Sequence, residues 1–267
     1  MERLIPDRDT PGAFWVRFGL TSQSWVDPAR PDFLAFEYVQ HIAMVLDHTV
    51  LGAPADRRLR IVHLGGAGMS IPRWVAWRRP GTAQVVCEPD VELTEEVRRK
   101  IPLPPRSGIK VRDVDGRAGL SAMPEGWADV VIVDAFDGSQ VPGELATAEC
   151  LDDLRRVGRE EALVIYNVTD RAPFAWVKRL AAGLAERWPH LIIGMEPVVQ
   201  KGKRFGNIVL AAADTRPDVA GIERASAGLT VGYRWISGRA ARSWPGGAEP
   251  YRDGAAEPSP GPTGRGW

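Results

Sequence analysis

The chain has 267 residues, of which 44% are apolar and 25% charged, as in a globular domain large enough to bury a substantial core. Its 34 basic and 34 acidic residues cancel, which removes the broad positive field that draws proteins to nucleic acid, so no nucleic-acid partner is expected. Two cysteines and four histidines without ligand spacing speak against a disulfide framework or a metal site. No run of about 18 apolar residues is present to enter a membrane, and the first twenty residues carry Glu2, Asp7 and Asp9 instead of an apolar signal segment, so a cytoplasmic location is expected.

In chain order, residues 1–13 are polar and read as a flexible lead-in. Phe14 to Phe18 alternate as a strand does, with Leu20 to Val26 as a hairpin partner across Gly19. Asp27, Pro28, Pro31 and Asp32 mark a loop, after which Val39, Ile42, Ala43, Leu46 and Val50 predict a helix over residues 33–50. Residues 14–51 thus form a small hairpin-and-helix unit. After a linker from Gly52 to Arg57, strand and helix patterns alternate through residues 58–237 as in a parallel sheet. Strands are predicted at 59–64, 83–87, 109–114, 128–133 and 162–168, with helices at 71–77, 91–100, 145–157 and 174–188. Two last strands, 190–196 and 207–213, are joined by a short basic loop, Lys201 to Arg204, read as a solvated turn, with contact to a substrate or partner as the alternative. They should therefore pair antiparallel, an ending that favours a seven-stranded transferase-type sheet. Residues 238–267 are rich in Gly and Pro and poor in aliphatics, which predicts a disordered tail.

The chemistry concentrates at the strand ends, where open α/β sheets bind their ligands. Leu59, Ile61, Val62 and Leu64 run into Gly65, Gly66, Ala67 and Gly68, with Pro72 in the first turn of the next helix. Such a turn lets a nucleoside or nucleotide lie against bare backbone at a helix start. A tight connection without a ligand fits the same pattern, and Ala67 replaces the middle glycine of the full dinucleotide fingerprint. Glu88 follows Gly65 by 23 positions, near the spacing of about 20 at which an acid reaches a ribose; capping of the following helix is the alternative. Asp115 and Gly116 end the third strand and also make an ordinary turn signal. The fourth strand delivers Asp134 and Asp137. Paired acids there can hold an ammonium ion and, by accepting its proton, free a nucleophilic amine; an Asx turn followed by a solvated loop is the rival account.

Taken together, Ile61 to Arg73, Val86 to Asp90, Val114 to Arg117, Asp129 to Asp137 and the Gly206-Asn207 strand resemble the spermidine synthase-like family, the polyamine aminopropyltransferases. Ser22 to Asp27 and Phe36-Glu37-Tyr38 are similar to that family's hairpin and tyrosine-bearing helix. The resemblance covers roughly residues 14 to 213. It implies an α/β fold with a seven-stranded, Rossmann-like sheet of the class I methyltransferase type, its last strand antiparallel, preceded by the hairpin and helix. It also implies a homodimer and an S-adenosyl ligand. On this likeness Gly65, Gly66, Gly68 and Gly116 border the adenosyl ligand, Glu88 takes the ribose and Asp115 the adenine amino group. Asp134 binds and activates the acceptor amine with help from Asp137, and Gln23 and Tyr38 line the amine pocket.

The implied reaction is aminopropyl transfer from decarboxylated S-adenosylmethionine to a polyamine, without a metal. The sequence departs from the family pattern at Gly68, where the family's glycine loop carries an aspartate, and at Ala135, Phe136 and Gly138, where it reads Asp-Ser-x-Asp-Pro from Asp134. These departures keep two alternatives open: a methyltransferase using intact S-adenosylmethionine, and a non-catalytic homologue that binds an adenosyl ligand.

Overall fold

A computed structural model describes residues 3–262 apart from residues 20, 53, 55 and 56. The expectations that fall on residues 1–2, 20, 53, 55–56 and 263–267 lie outside the described residues. Three short strands, β1 (Leu4–Pro6), β2 (Phe14–Phe18) and β3 (Thr21–Val26), form a small antiparallel sheet, and helix α1 (Glu37–Asp47) follows. The main unit then runs β4 (Arg60–Leu64), α2 (Ser70–Arg78), β5 (Ala83–Cys87), α3 (Val91–Lys100), β6 (Ile109–Arg112), α4 (Gly116–Ser121), β7 (Ala128–Val133), α5 (Ala148–Val157) and β8 (Gly158–Asp170). It continues with α6 (Ala175–Arg187), β9 (His190–Met195), α7 (Pro197–Gln200), β10 (Gly206–Ala213), α8 (Val219–Ser226), β11 (Arg234–Ile236) and α9 (Gly238–Ser243). None of these helices is long and apolar enough to cross a membrane.

The main sheet has eight strands among the described residues, in the order β11-β9-β10-β8-β7-β4-β5-β6. The sequence expectation of seven is corrected by one: β11, three residues ending just before Gly238, pairs antiparallel with the outer edge of β9. It is too short to announce itself by alternation. The antiparallel placement of β10, between β8 and β9, is as expected. From β4 the chain moves to β5 and β6 on one side, then crosses to β7 and β8 on the other. Such a reversal opens a crevice at the carboxyl ends of the strands.

Side-chain alternation fills both faces. On β7, Val131 and Val133 join a core with Leu151 and Leu154 of α5 and Leu180 of α6, while Val130 and Ile132 face a second core with Ile42 of α1 and Trp74 of α2. Each fully buried aliphatic of this kind contributes roughly 1.5–3 kcal/mol. Asp129 interrupts β7 and is buried; it is held by Arg57, by Arg159 at 3.0 Å and by the Arg60 amide at 2.8 Å. The small sheet has its own core, in which Leu4, Val16 and Val26 meet Met69 beside the glycine loop and Leu93 and Val97 of α3.

Two expectations based on composition do not hold over the described residues. The lead-in is not loose: Leu4–Pro6 pairs with Phe14–Val16, and the Trp25 indole donates to Asp7 at 2.7 Å. Nor is the region from Gly238 disordered through residue 262. After α9, Tyr251 is buried and bridges to Thr147, the Trp176 indole donates to the Glu257 carbonyl at 2.9 Å, and Ser259 is 0% exposed. The Ser259 amide donates to the Val141 carbonyl at 2.9 Å, its hydroxyl oxygen accepts from the Val141 amide at 2.8 Å, and its carbonyl accepts from Gln140 at 2.6 Å. Gly and Pro keep this strap out of regular structure, and side chains of the main unit supply the partners that its backbone lacks.

Candidate active site

The crevice holds two adjoining cavities, of about 320 and 550 Å³, that share Gln23, Phe36, Tyr38 and Phe136 as a common wall. The first is bounded by the glycine loop, Glu88, Asp115, Gly116, Asp134 and Asp137. The second is bounded by Glu37, Asn167, Thr169, Glu196, Arg204 and Asn207. The strand-end acids singled out in the sequence therefore face one space, and Asp134 on its wall touches Tyr38 of the common wall and Asn167 of the second cavity.

Gly65 begins the loop at φ +94°, and a Cβ there would lie 2.2 Å from the Asp134 carbonyl oxygen, so only glycine fits between β4 and β7. Gly66 and Ala67 turn their amides onto Glu88 Oε2 at 2.9 and 3.0 Å, and Glu88 Oε1 accepts from the Asp90 amide at 3.0 Å. Glu88 thus closes the loop and orders the entrance to α3, where Asp90 is the N-cap, while remaining on the cavity wall. Asp115 caps α4 through the Ala118 amide at 2.8 Å and is exposed at the rim. The turn reading of Asp115 and Gly116 becomes a short helix start, beside the first cavity.

Gly68 differs from the other loop positions. It does not line either cavity; a Cβ there would lie 2.7 Å from Ser24 Oγ, 2.9 Å from Val26 Cγ2 and 3.0 Å from Val16 Cγ2. The position expected to border the ligand instead seats the small sheet on the loop, so a side chain there would be directed into that sheet.

Asp134 is half-buried; its Oδ1 accepts from Asn167 Nδ2 at 2.8 Å, and the Tyr38 hydroxyl makes a longer contact with Oδ2 at 3.4 Å. Burial pushes its pKa up to about 6, opposed by those two donors. Tyr38 is pushed above its ordinary range by burial and by the carboxylate, so it remains a phenol and a donor. Asp137, three residues on, is exposed in the turn that Gly138 makes at φ +61°, and Gln23 Nε2 ties that turn to β3 through the Gly138 carbonyl at 2.6 Å. The geometry suits a carboxylate that faces a ligand in the first cavity and accepts a proton from a cation brought past the wall the two cavities share.

Asn167 escaped the sequence reading of site residues, although a signal was present: it is the one amide within the apolar run Leu163 to Val168 and is 0% exposed. An unsatisfied buried amide is costly, so such a residue marks a partner. Glu196 and Arg204 were also missed. They form an ion pair on the second cavity's wall, and Arg204 belongs to the basic turn between β9 and β10.

No protein-family model and no curated protein matches this chain. Among solved structures, a probable spermidine synthase from Corynebacterium glutamicum ATCC 13032 aligns with a TM-score of 0.89 and 27% identity over 94% of this chain and 92% of that one. Human methyltransferase-like protein 13, in complex with SAH, aligns at TM-score 0.55 and 18% identity over 72% and 92% of the two chains. A spermidine synthase in complex with the transition-state analogue AdoDATO aligns at 0.52 and 15% over 73% and 65%. The latter two likenesses are of fold. The first makes this chain similar to a probable spermidine synthase over nearly the whole length of both chains, and the strand-end acids gather about one crevice.

Proposed function

We propose that the protein transfers an aminopropyl group from decarboxylated S-adenosylmethionine to a polyamine acceptor, as a cytoplasmic homodimer. The observation that carries this reading is Asp134, with a pKa of about 6, on the wall of the first cavity and hydrogen-bonded to Asn167 on the wall of the second. In this reading the first cavity takes the adenosyl part of the donor, with Gly65, Gly66 and Gly116 as its close backbone walls. Glu88 reaches the ribose and Asp115 the adenine. The ligands SAH and AdoDATO named for two neighbours of this fold support an adenosyl-type occupant.

The second cavity takes the acceptor, bounded by Gln23 and Tyr38. Asp134 accepts a proton from the incoming ammonium, assisted by Asp137, and the neutral nitrogen lone pair forms a bond to the propyl carbon next to sulfur. The carbon–sulfur bond breaks with its electrons going to sulfur, so methylthioadenosine leaves uncharged. Tyr38 keeps the carboxylate aimed without competing for the proton.

Methylthioadenosine release with putrescine, cadaverine, agmatine or spermidine as acceptor tests the reaction. No release with any of the four would count against it. A thermal-shift panel sorts the alternatives, since a ligand at 100 times its dissociation constant stabilises a fold by about 2.7 kcal/mol. Response to intact donor alone would favour a methyltransferase, and response to no donor a non-catalytic homologue. Sedimentation tests the dimer.

A further inference from the structure

Asn167 and Asn207 sit on neighbouring strands, β8 and β10, and β8 also borders β7, whose end carries Asp134. An ionised carboxylate can only accept hydrogen bonds, so the group that Asn167 presents to Asp134 at 2.8 Å is its Nδ2. That leaves the Asn167 carbonyl oxygen turned towards β10, where Asn207 Nδ2 donates to it at 2.9 Å. Were the Asn167 amide to turn over, two oxygens would meet at Asp134 and two donors at Asn207. Asn207, itself two hydrogen bonds from the acid, therefore favours the orientation of Asn167 that presents Nδ2 to Asp134.

We propose that Asn207 is a positioning residue: its amide fixes the orientation of Asn167, which in turn keeps the Asp134 carboxylate aimed and ready to accept a proton. The inference rests on the reading of Asp134 as the amine-activating acid. The other titratable and charged groups lining the cavity with Asp134 are Tyr38 from α1, His63 from β4, Cys87 from β5, Glu88 and Asp90 after it, Asp115 and Arg117 at α4, and Asp137 and Glu144 along its own loop. Glu37, Glu196 and Arg204 line the second cavity. An uncharged replacement of Asn207 leaves all of these in place, so any change at Asp134 reports the amide relay.

The test is a carboxyl NMR titration of Asp134 in the full chain, with Asn167→Leu, Asn207→Leu and the double variant. Leucine is close to asparagine in shape and adds no charge. Asn167→Leu should make Asp134 a weaker acid by about tenfold, Asn207→Leu by about threefold, and the double variant no more than Asn167→Leu alone, because neighbours in one network are not additive. The acid limb of the turnover profile should move with the titration, and kcat should fall more than KM rises. Asn207→Ala carries the same test should leucine disturb the strand. An unmoved titration in the Asn207 variants, or effects that simply add in the double variant, would overturn the proposal. Failure of the wild-type protein to release methylthioadenosine would sink only the functional reading, since the titration answers for Asn207 in either case.

Discussion

At the scale of single residues, Asp134 ties activity and stability to the same proton. Its pKa of about 6 predicts that turnover falls as pH drops through 6, because the protonated acid cannot take up the proton of the amine. Asp134→Asn should lower kcat by roughly 10²–10⁴ while leaving nucleoside binding largely intact, measured by steady-state kinetics and calorimetry. The same substitution should stabilise the fold, by up to about 3 kcal/mol at pH 7.5. A buried carboxylate whose folded pKa is raised is a burden above that pKa, and the burden disappears as pH falls from about 6 towards the ordinary 3.8. Melts at pH 7.5 and pH 4.5 should thus show the stabilising effect shrinking in acid. The acids themselves were legible in the sequence because strand ends are legible: Glu88, Asp115 and Asp134 each follow a run of β-formers. Asn167 was not, because its meaning depends on which strand lies alongside. Gly68 was misplaced for a related reason: spacing locates a residue on a loop but does not say which way its Cα faces.

At the scale of elements, the glycine loop serves two masters. One side borders the cavity; the other, through Gly68 and Met69, receives Val16, Ser24 and Val26 of the small sheet. Introducing, by Gly68→Asp, the aspartate of the family that the sequence resembles should therefore destabilise the protein by about 1–3 kcal/mol, as overpacking does. It should bring no gain in affinity for a cationic donor. Thermal denaturation and calorimetry read the two effects; tighter donor binding without loss of stability would show that the position reaches the cavity after all. Strands β5 and β7 and helix α3 appear at the boundaries read from periodicity, because length and a clean apolar pattern agree there. Strand β8 runs longer than its apolar core, from Gly158 rather than Ala162. Pairing with β7 recruits the charged residues Arg159 to Glu161, with Glu161 at φ +67° taking up the register shift. Helices α4 and α8, six and eight residues long, open on caps by Asp115 and Asp218, and α8 turns Val219 and Ile222 to the core.

At the scale of the whole molecule, both ends of the described chain reach the site. Near the start, Arg3 pairs with Asp90 beyond Glu88, and β3 sends Gln23 to the Gly138 turn. Near the end, the strap grips residues 140–147 of the loop that follows Asp134, through Ser259 and through Asp253, whose Oδ1 accepts from Thr147 at 2.7 Å. Removing residues 249–262 should leave far-ultraviolet dichroism close to that of the full chain, since all eight sheet strands precede them. It should nonetheless weaken nucleoside binding at least tenfold, as read by calorimetry. The composition that suggested disorder was a fair statement of what this segment cannot do alone, and its order is borrowed from Trp176, Gln140 and Val141. The sheet is complete at β11, but the loop beside Asp134 depends on Ser259, so the chain can hold its fold without holding a finished site.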